Sequence, residues 1–224
     1  MDSHGGASQG NGSSPWPGRS GVSRTELDPV TFLYRSAAIH PDRVAVVDGD
    51  RRWTYSELCE RVNRLAAALR AGGLQRHERV AALCLNGAPL LELHHAVPAA
   101  GGVLVAINTR LGRDEVRHII DHSGARMLFV DETLAGLVAD PPPGLEVVVV
   151  GDGSGAYEQL LASGDPVGVP SQLVDEEEPI AIDYTSGTTG QPKGVVYTYR
   201  GAYLNALGEV IEAELGHGPV YLWT

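Results

Sequence analysis

From residue 44 onward the apolar positions of the chain follow two alternating rhythms, one of period two and one of helical spacing. Val44 to Val47 and Arg51 to Tyr55 are short extended stretches joined through Asp48-Gly49-Asp50, a tight-turn sequence, and predict a hairpin. Thr54 with Glu57 three residues later has the form of a capping box. Leu58, Val62, Leu65, Ala66 and Leu69 then recur at helical spacing as far as Gly72-Gly73, which predicts a helix. The alternation continues: a strand over Arg79 to Leu85, a helix over Pro89 to Ala100, a strand over Val103 to Ile107, a helix over Arg113 to His122, and a strand over Arg126 to Val130. A short helical stretch at Glu132 to Val138 leads through Pro141-Pro142-Pro143 to Glu146 to Val150. That uninterrupted apolar run reads as a strand covered on both faces. Strands alternating with helices argue for an α/β fold with a mainly parallel sheet flanked by helices.

The pattern breaks at 165–178, where Pro166, Gly168 and Pro170 precede Asp175-Glu176-Glu177-Glu178. Like charges repel and stay hydrated, so this reads as a solvated acidic linker and a boundary. Beyond it, Pro179 to Tyr184 reads as a strand, Val195 to Thr198 as a second strand, and Arg200 to Leu215 as a helix. Val220 to Thr224 is a β-prone apolar segment with no polar tail after it, and the chain is expected to be cut there. The expected organisation is therefore a disordered tail over 1–27, a first α/β subdomain over 28–164, the linker over 165–178, and the start of a second α/β region over 179–224.

Composition narrows the chemistry. The 28 acidic and 17 basic residues give a formal charge of −11, which opposes nucleic acid as a partner. No apolar run reaches the roughly 18–20 residues that span a bilayer, so no membrane span is expected. The Gly-, Ser- and Asn-rich start lacks the apolar centre of a secretory signal, and a cytoplasmic location follows. Cys59 and Cys84 sit in apolar periodic segments and are expected to be buried free thiols. His118 and His122 are four apart on a predicted helix, a spacing that can bind metal, but no third ligand is evident. They are read as structural or surface residues, as are the adjacent His94 and His95, which point to different helix faces. No metal ligand is assigned.

The strongest chemical signal is the loop between the last two predicted strands. Thr185, Ser186, Thr188 and Thr189 supply hydroxyls, Gly187 and Gly190 allow close backbone approach with N–H groups turned inward, and Lys193 adds a full positive charge. This chemistry suits a polyphosphate. A Walker A loop requires Gly-Lys followed directly by Ser or Thr and a helix; here Pro192-Lys193-Gly194 leads into Val195-Val196-Tyr197, a strand pattern. Composition alone leaves open a Ser/Thr/Gly-rich hairpin loop with no ligand. Tyr184, on the strand side of the loop, reads as a packing residue.

The stretch Tyr184-Thr185-Ser186-Gly187-Thr188-Thr189-Gly190-Gln191-Pro192-Lys193-Gly194 resembles the signature of the adenylate-forming superfamily, which includes acyl-CoA synthetases, firefly luciferase and the adenylation domains of nonribosomal peptide synthetases. Pro41-Asp42-Arg43-Val44-Ala45-Val46, Arg52 to Leu58, Ala106 to Leu111 and His122 to Ala125 fit as well, so the resemblance spans about residues 28 to 224. Arg200-Gly201-Ala202-Tyr203-Leu204-Asn205-Ala206 and Tyr221-Leu222-Trp223-Thr224 are similar to the fatty-acyl and methylthiopropionate CoA ligase branch. The resemblance implies the N-terminal portion of the superfamily's large domain, acting in the complete enzyme on ATP with Mg2+, a carboxylic acid such as a fatty acid, and CoA. It places Thr185, Ser186, Gly187, Thr188, Thr189, Gly190 and Lys193 on the ATP phosphates. It assigns no catalytic residue, because the family's acyl-pocket, adenine and metal motifs and its mobile C-terminal domain lie beyond 224. Two positions depart from the branch: Tyr199 stands where His is common, and Leu85 where Pro is common before Asn86. The 224-residue chain alone is expected to be inactive, and a second reading is a non-catalytic remnant or one half of a split enzyme.

Overall fold

The structure, a computed structural model, describes residues 25–151, 153, 155–185 and 192–223. Most of the tail expected over 1–27 therefore lies outside the described residues. Its last part does not float free: the Leu27 amide donates to Glu176 at 3.0 Å.

The predicted hairpin forms as β1 (Val44–Asp48) and β2 (Arg51–Thr54), antiparallel, with Gly49 at φ +59° in the turn. Thr54 caps α2 (Tyr55–Ala71) in a complete capping box: its hydroxyl accepts from the Glu57 amide, and the Glu57 carboxylate accepts from the Thr54 amide. The remaining strands are β3 (Arg79–Leu83), β4 (Val103–Ala106), β5 (Met127–Asp131), β6 (Glu146–Val150), β7 (Pro179–Thr185) and β8 (Lys193–Thr198). Among the described residues they form one sheet in the order β6-β5-β3-β4-β7-β8, parallel throughout except for the antiparallel β7–β8 pair.

The helices cover opposite faces. Alternate residues of a strand point to opposite sides, and β3 divides accordingly. Val80 and Ala82 pack with α2 and α3 (Ala88–Ala99), whereas Ala81 and Leu83 pack with Val116, Ile119 and Ile120 of α4 (Arg113–Ser123). The chain therefore crosses from β3 to β4 over one face and returns from β4 to β5 over the other. The two crossovers diverge at the carboxyl ends of β3 and β4, which is where open α/β sheets leave a crevice.

Two helices were not apparent in the residue pattern: α1 (Val30–Ile39) and α5 (Ala156–Ser163). The latter changes the expectation for β6. Val148 and Val150 are buried under Tyr157 and Leu161 of α5, but Val147 and Val149 remain about two-fifths exposed. A uniform valine run does not distinguish a central strand from an edge strand, and β6 is an edge. The stretch expected to be helical at Glu132–Val138 is a 3-10 segment started by Asp131, whose carboxylate accepts from the Thr133 amide.

One buried ionic group holds α2, α3 and α5 together. Glu92 on α3 is fully buried, and its carboxylate accepts from Arg61 Nε at 2.5 Å, Arg61 Nη2 at 3.2 Å and the Tyr157 hydroxyl at 2.5 Å. Arg61 also donates to Glu158 at 2.7 and 3.0 Å and lies over the Trp53 ring. Burial pushes the Glu92 carboxyl up, and the bonds from Arg61 and Tyr157 pull only part of that shift back.

The 165–178 segment connects strands of one sheet, since β7 lies beside β4 through the pair Leu104 and Ala181. Nor is its acidic run simply solvated. The Glu178 side chain is 12% exposed and meets Arg76 and His77 in the turn before β3, while Glu176 meets Arg200 of α6 (Tyr199–Glu212) at 2.5 Å. Backbone amides of Val174 and Asp175 also donate to Glu178, so the carboxylates close the linker onto the sheet.

Val220 to Trp223, within the β-prone apolar segment, has no regular secondary structure. It pairs with no strand among the described residues; Tyr221, Leu222 and Trp223 line a cavity with β1 and the start of α3, and the Trp223 ring lies edge-on to His94 at 5.9 Å.

Candidate functional site

The antiparallel β7–β8 pair sets the two ends of the Gly/Ser/Thr loop. In its register Thr185 stands opposite Lys193 and Tyr184 opposite Gly194. Both Thr185 and Lys193 are exposed, and among the described residues the Lys193 ammonium makes no ion pair. The other residues assigned to the phosphates, Ser186, Gly187, Thr188, Thr189 and Gly190, lie outside the described residues.

Tyr184 fixes the approach to the loop. A side chain at Gly194 would come within 2.9 Å of Ile182 and 3.3 Å of the Tyr184 ring, so glycine there lets the aromatic ring lie across the hairpin. The Tyr184 hydroxyl is 2.7 Å from Nδ1 of His122 on α4, and the two rings meet edge to face at 5.8 Å. Burial raises the Tyr184 phenol, with nearby Arg79 opposing. The packing role expected of Tyr184 is present, together with a hydrogen bond to a helix on the other side of the sheet edge. That bond joins residues 62 apart in sequence, which helical spacing cannot reveal.

At the carboxyl ends of β3, β4 and β7 the divergent crossovers leave a crevice of about 610 Å³. Asn86, His94, Asn108, Arg110, Asp183 and Tyr184 are among its lining residues. Asn108 Oδ1 accepts from the Arg110 amide at 3.0 Å, a side-chain turn that orders the loop after β4. Burial raises the Asp183 carboxyl and lowers the His94 imidazole. His95, beside it, is pushed down to about 4 by burial and by His94, which fits a neutral structural ring. Cys84, also on the crevice wall, is pushed up to about 12 by burial and is an inert thiol at neutral pH. The two cysteines form no disulfide.

His118 and His122 stack on each other at 5.4 Å. No group of three potential metal ligands occurs among the described residues. Tyr199, which departs from the branch pattern, is buried at the start of α6 and donates to the Pro98 carbonyl at 3.0 Å, pinning α6 to α3.

An open α/β sheet whose crossovers diverge places its ligand crevice at the carboxyl ends of the strands, here β3, β4 and β7. The AMP-binding enzyme profile matches residues 33–224, and the chain belongs to that family. The peroxisomal butyrate–CoA ligase AAE11 of Arabidopsis thaliana is 36% identical over 88% of the chain, and 4-hydroxybutyrate–CoA ligase 2 of Metallosphaera sedula is likewise 36% identical over 88%. The benzoate CoA ligase structure from Burkholderia xenovorans LB400 superposes with a TM-score of 0.73 at 25% identity, covering 82% of this chain and 36% of that one. The homologues are acyl-CoA ligases. The chain spans 38–39% of the length of the two curated relatives. No helix among the described residues is long and apolar enough to cross a membrane.

Proposed function

We propose that this chain is the nucleotide-gripping part of an acyl-CoA ligase that activates a carboxylic acid in two steps. The carboxylate attacks the α-phosphate of ATP, giving acyl-AMP and pyrophosphate; the CoA thiol then displaces AMP. In this reading Thr185, Ser186, Thr188 and Thr189, the loop amides at Gly187 and Gly190, and the Lys193 ammonium bind the β- and γ-phosphates. As pyrophosphate leaves, charge accumulates on its oxygens, and donors already aimed there stabilise it without reorganising. Mg2+ would accompany the nucleotide phosphates. A fatty or similar acid as substrate, and a cytoplasmic location, belong to the same proposal.

The observation that carries this reading is the Tyr184–Gly194 stretch set between two strand ends in register, with Thr185 facing Lys193 and no acidic partner for Lys193 among the described residues. The direct test is calorimetric titration of Mg-ATP into the 224-residue chain. Lys193→Ala and Thr188→Ala should each weaken binding about 10-fold or more, since a charge-assisted phosphate contact contributes about 1.5–3 kcal/mol. Affinity that ignores both substitutions would remove the loop from the nucleotide site.

The division at 165–178 stays part of the proposal for the whole protein. It is supported by the change in residue pattern at Pro166, Gly168 and Pro170 before the acidic run.

A further inference from the structure

The last turn of α4 carries a histidine that caps no carbonyl of its own helix. A basic side chain near a helix C-terminus ordinarily serves the unpaired carbonyls there. In α4 that role falls to Arg79, whose Nε donates to the Ser123 carbonyl at 2.6 Å and whose Nη2 donates to the Gly124 carbonyl at 2.9 Å. The same two bonds clamp the end of α4 to the start of β3, and Gly124, at φ +61°, turns the chain away from the helix. His122 is thus carried on a fixed turn, and its Nδ1 meets the Tyr184 hydroxyl at 2.7 Å.

Tyr184 brings that bond to the candidate site. It directly precedes Thr185 and stands opposite Gly194, which directly follows Lys193. A Cβ on Gly194 would lie 3.3 Å from the ring carbon that bears the hydroxyl, so the ring crosses the hairpin at the pair that flanks the loop. Packing does not require the hydroxyl, because a phenylalanine ring would fill the same space beside Ile182 and the α4 core. What the hydroxyl adds is an anchor on a helix. We infer that His122 is a positioning residue: through Tyr184 it fixes the direction in which Thr185 and Lys193 leave the ladder toward the phosphates of a nucleotide. With the phenol as donor, Nδ1 is the acceptor and the ring proton lies on Nε2. The inference rests on the nucleotide reading of the loop.

Lys193 is the only lysine in the chain, so acetylation by an N-hydroxysuccinimide ester, followed by peptide mass mapping, reports on one side chain. Mg-ATP is titrated against that reaction in the 224-residue chain. Tyr184→Phe and His122→Leu should each raise the Mg-ATP concentration that gives half-protection about 3- to 10-fold, the range a single hydrogen bond supplies. The double variant should lose no more than either single one, since both remove the same bond. His122→Asn, which returns an acceptor oxygen near the place of Nδ1, should recover most of the loss. Imidazole nitrogen NMR should show Nδ1 of His122 without a proton, with a signal that moves in Tyr184→Phe. Half-protection unchanged by Tyr184→Phe and His122→Leu overturns the inference while leaving the nucleotide site in place, and so do losses that simply add in the double variant. A weakening that tracks a fall in melting temperature, and that His122→Asn does not reverse, assigns the bond to stability alone and also overturns it. Failure of Mg-ATP to protect Lys193 in the unsubstituted chain removes the nucleotide reading, and this inference with it.

Discussion

At Glu92 a single carboxylate receives three hydrogen bonds inside the core, two from Arg61 and one from Tyr157. Removing one member of such a group is worse than never having it, because the partners keep their desolvation cost. Glu92→Ala should therefore cost about 3–5 kcal/mol in urea unfolding. Tyr157→Phe, which removes one donor but keeps the ring against Phe129, should cost about 1–2 kcal/mol. None of this was legible in the residue order: Glu92 lies within an apolar helical pattern, and its partners are 31 and 65 positions away. The same limit hid the His122–Tyr184 bond, whereas the Thr54–Glu57 capping box, a three-residue relation, could be read directly.

At the level of elements, the period-two and helical rhythms located the hairpin, α2 and the run from β3 to β5, because each of these buries a regular stripe. They failed where burial is sparse. In α1 only Val30 and Leu33 are buried, and α5 has eight residues with Tyr157 and Leu161 inward, too few turns to show a period. Helix α3 begins at Gly87, which offers no side-chain cap, and the missing acceptor comes from the hairpin: Asp48 Oδ2 accepts from the Ala88 amide at 3.0 Å. Asp48→Ala should cost about 0.5–2 kcal/mol in thermal unfolding, in the range of a lost N-cap. The linker makes a pH-dependent contribution. Burial alone would raise the Glu178 carboxyl, but the bonds from His77, Arg76 and the Asp175 and Val174 amides outweigh it, and the net shift is downward. A carboxyl lowered in the folded state adds stability that is full above its unfolded pKa and is lost as pH falls through the folded value. The melting temperature should accordingly drop as pH falls below the ordinary glutamate value near 4.5, and Glu178→Gln should flatten that part of the profile.

At the scale of the molecule, the comparisons account for the sheet and for the family, and the match from residue 33 agrees with the reading that placed the resemblance from about residue 28 onward. What the pattern of residues could not convey is how unevenly the sheet is stitched. β3 is laddered to β4 and to β5 through four pairs each, and β5 to β6 through five, whereas the β4–β7 ladder has the one pair Leu104 and Ala181 and β8 buries no residue. Amide exchange should report this as two populations, with β3, β4 and β5 protected well beyond β7 and β8. Because Thr185 and Lys193 stand opposite one another in one antiparallel ladder, strand pairing sets the distance between the two ends of the loop. Under the proposed reading, that fixed span would hold a hydroxyl and an ammonium at a constant separation on either side of the nucleotide phosphates.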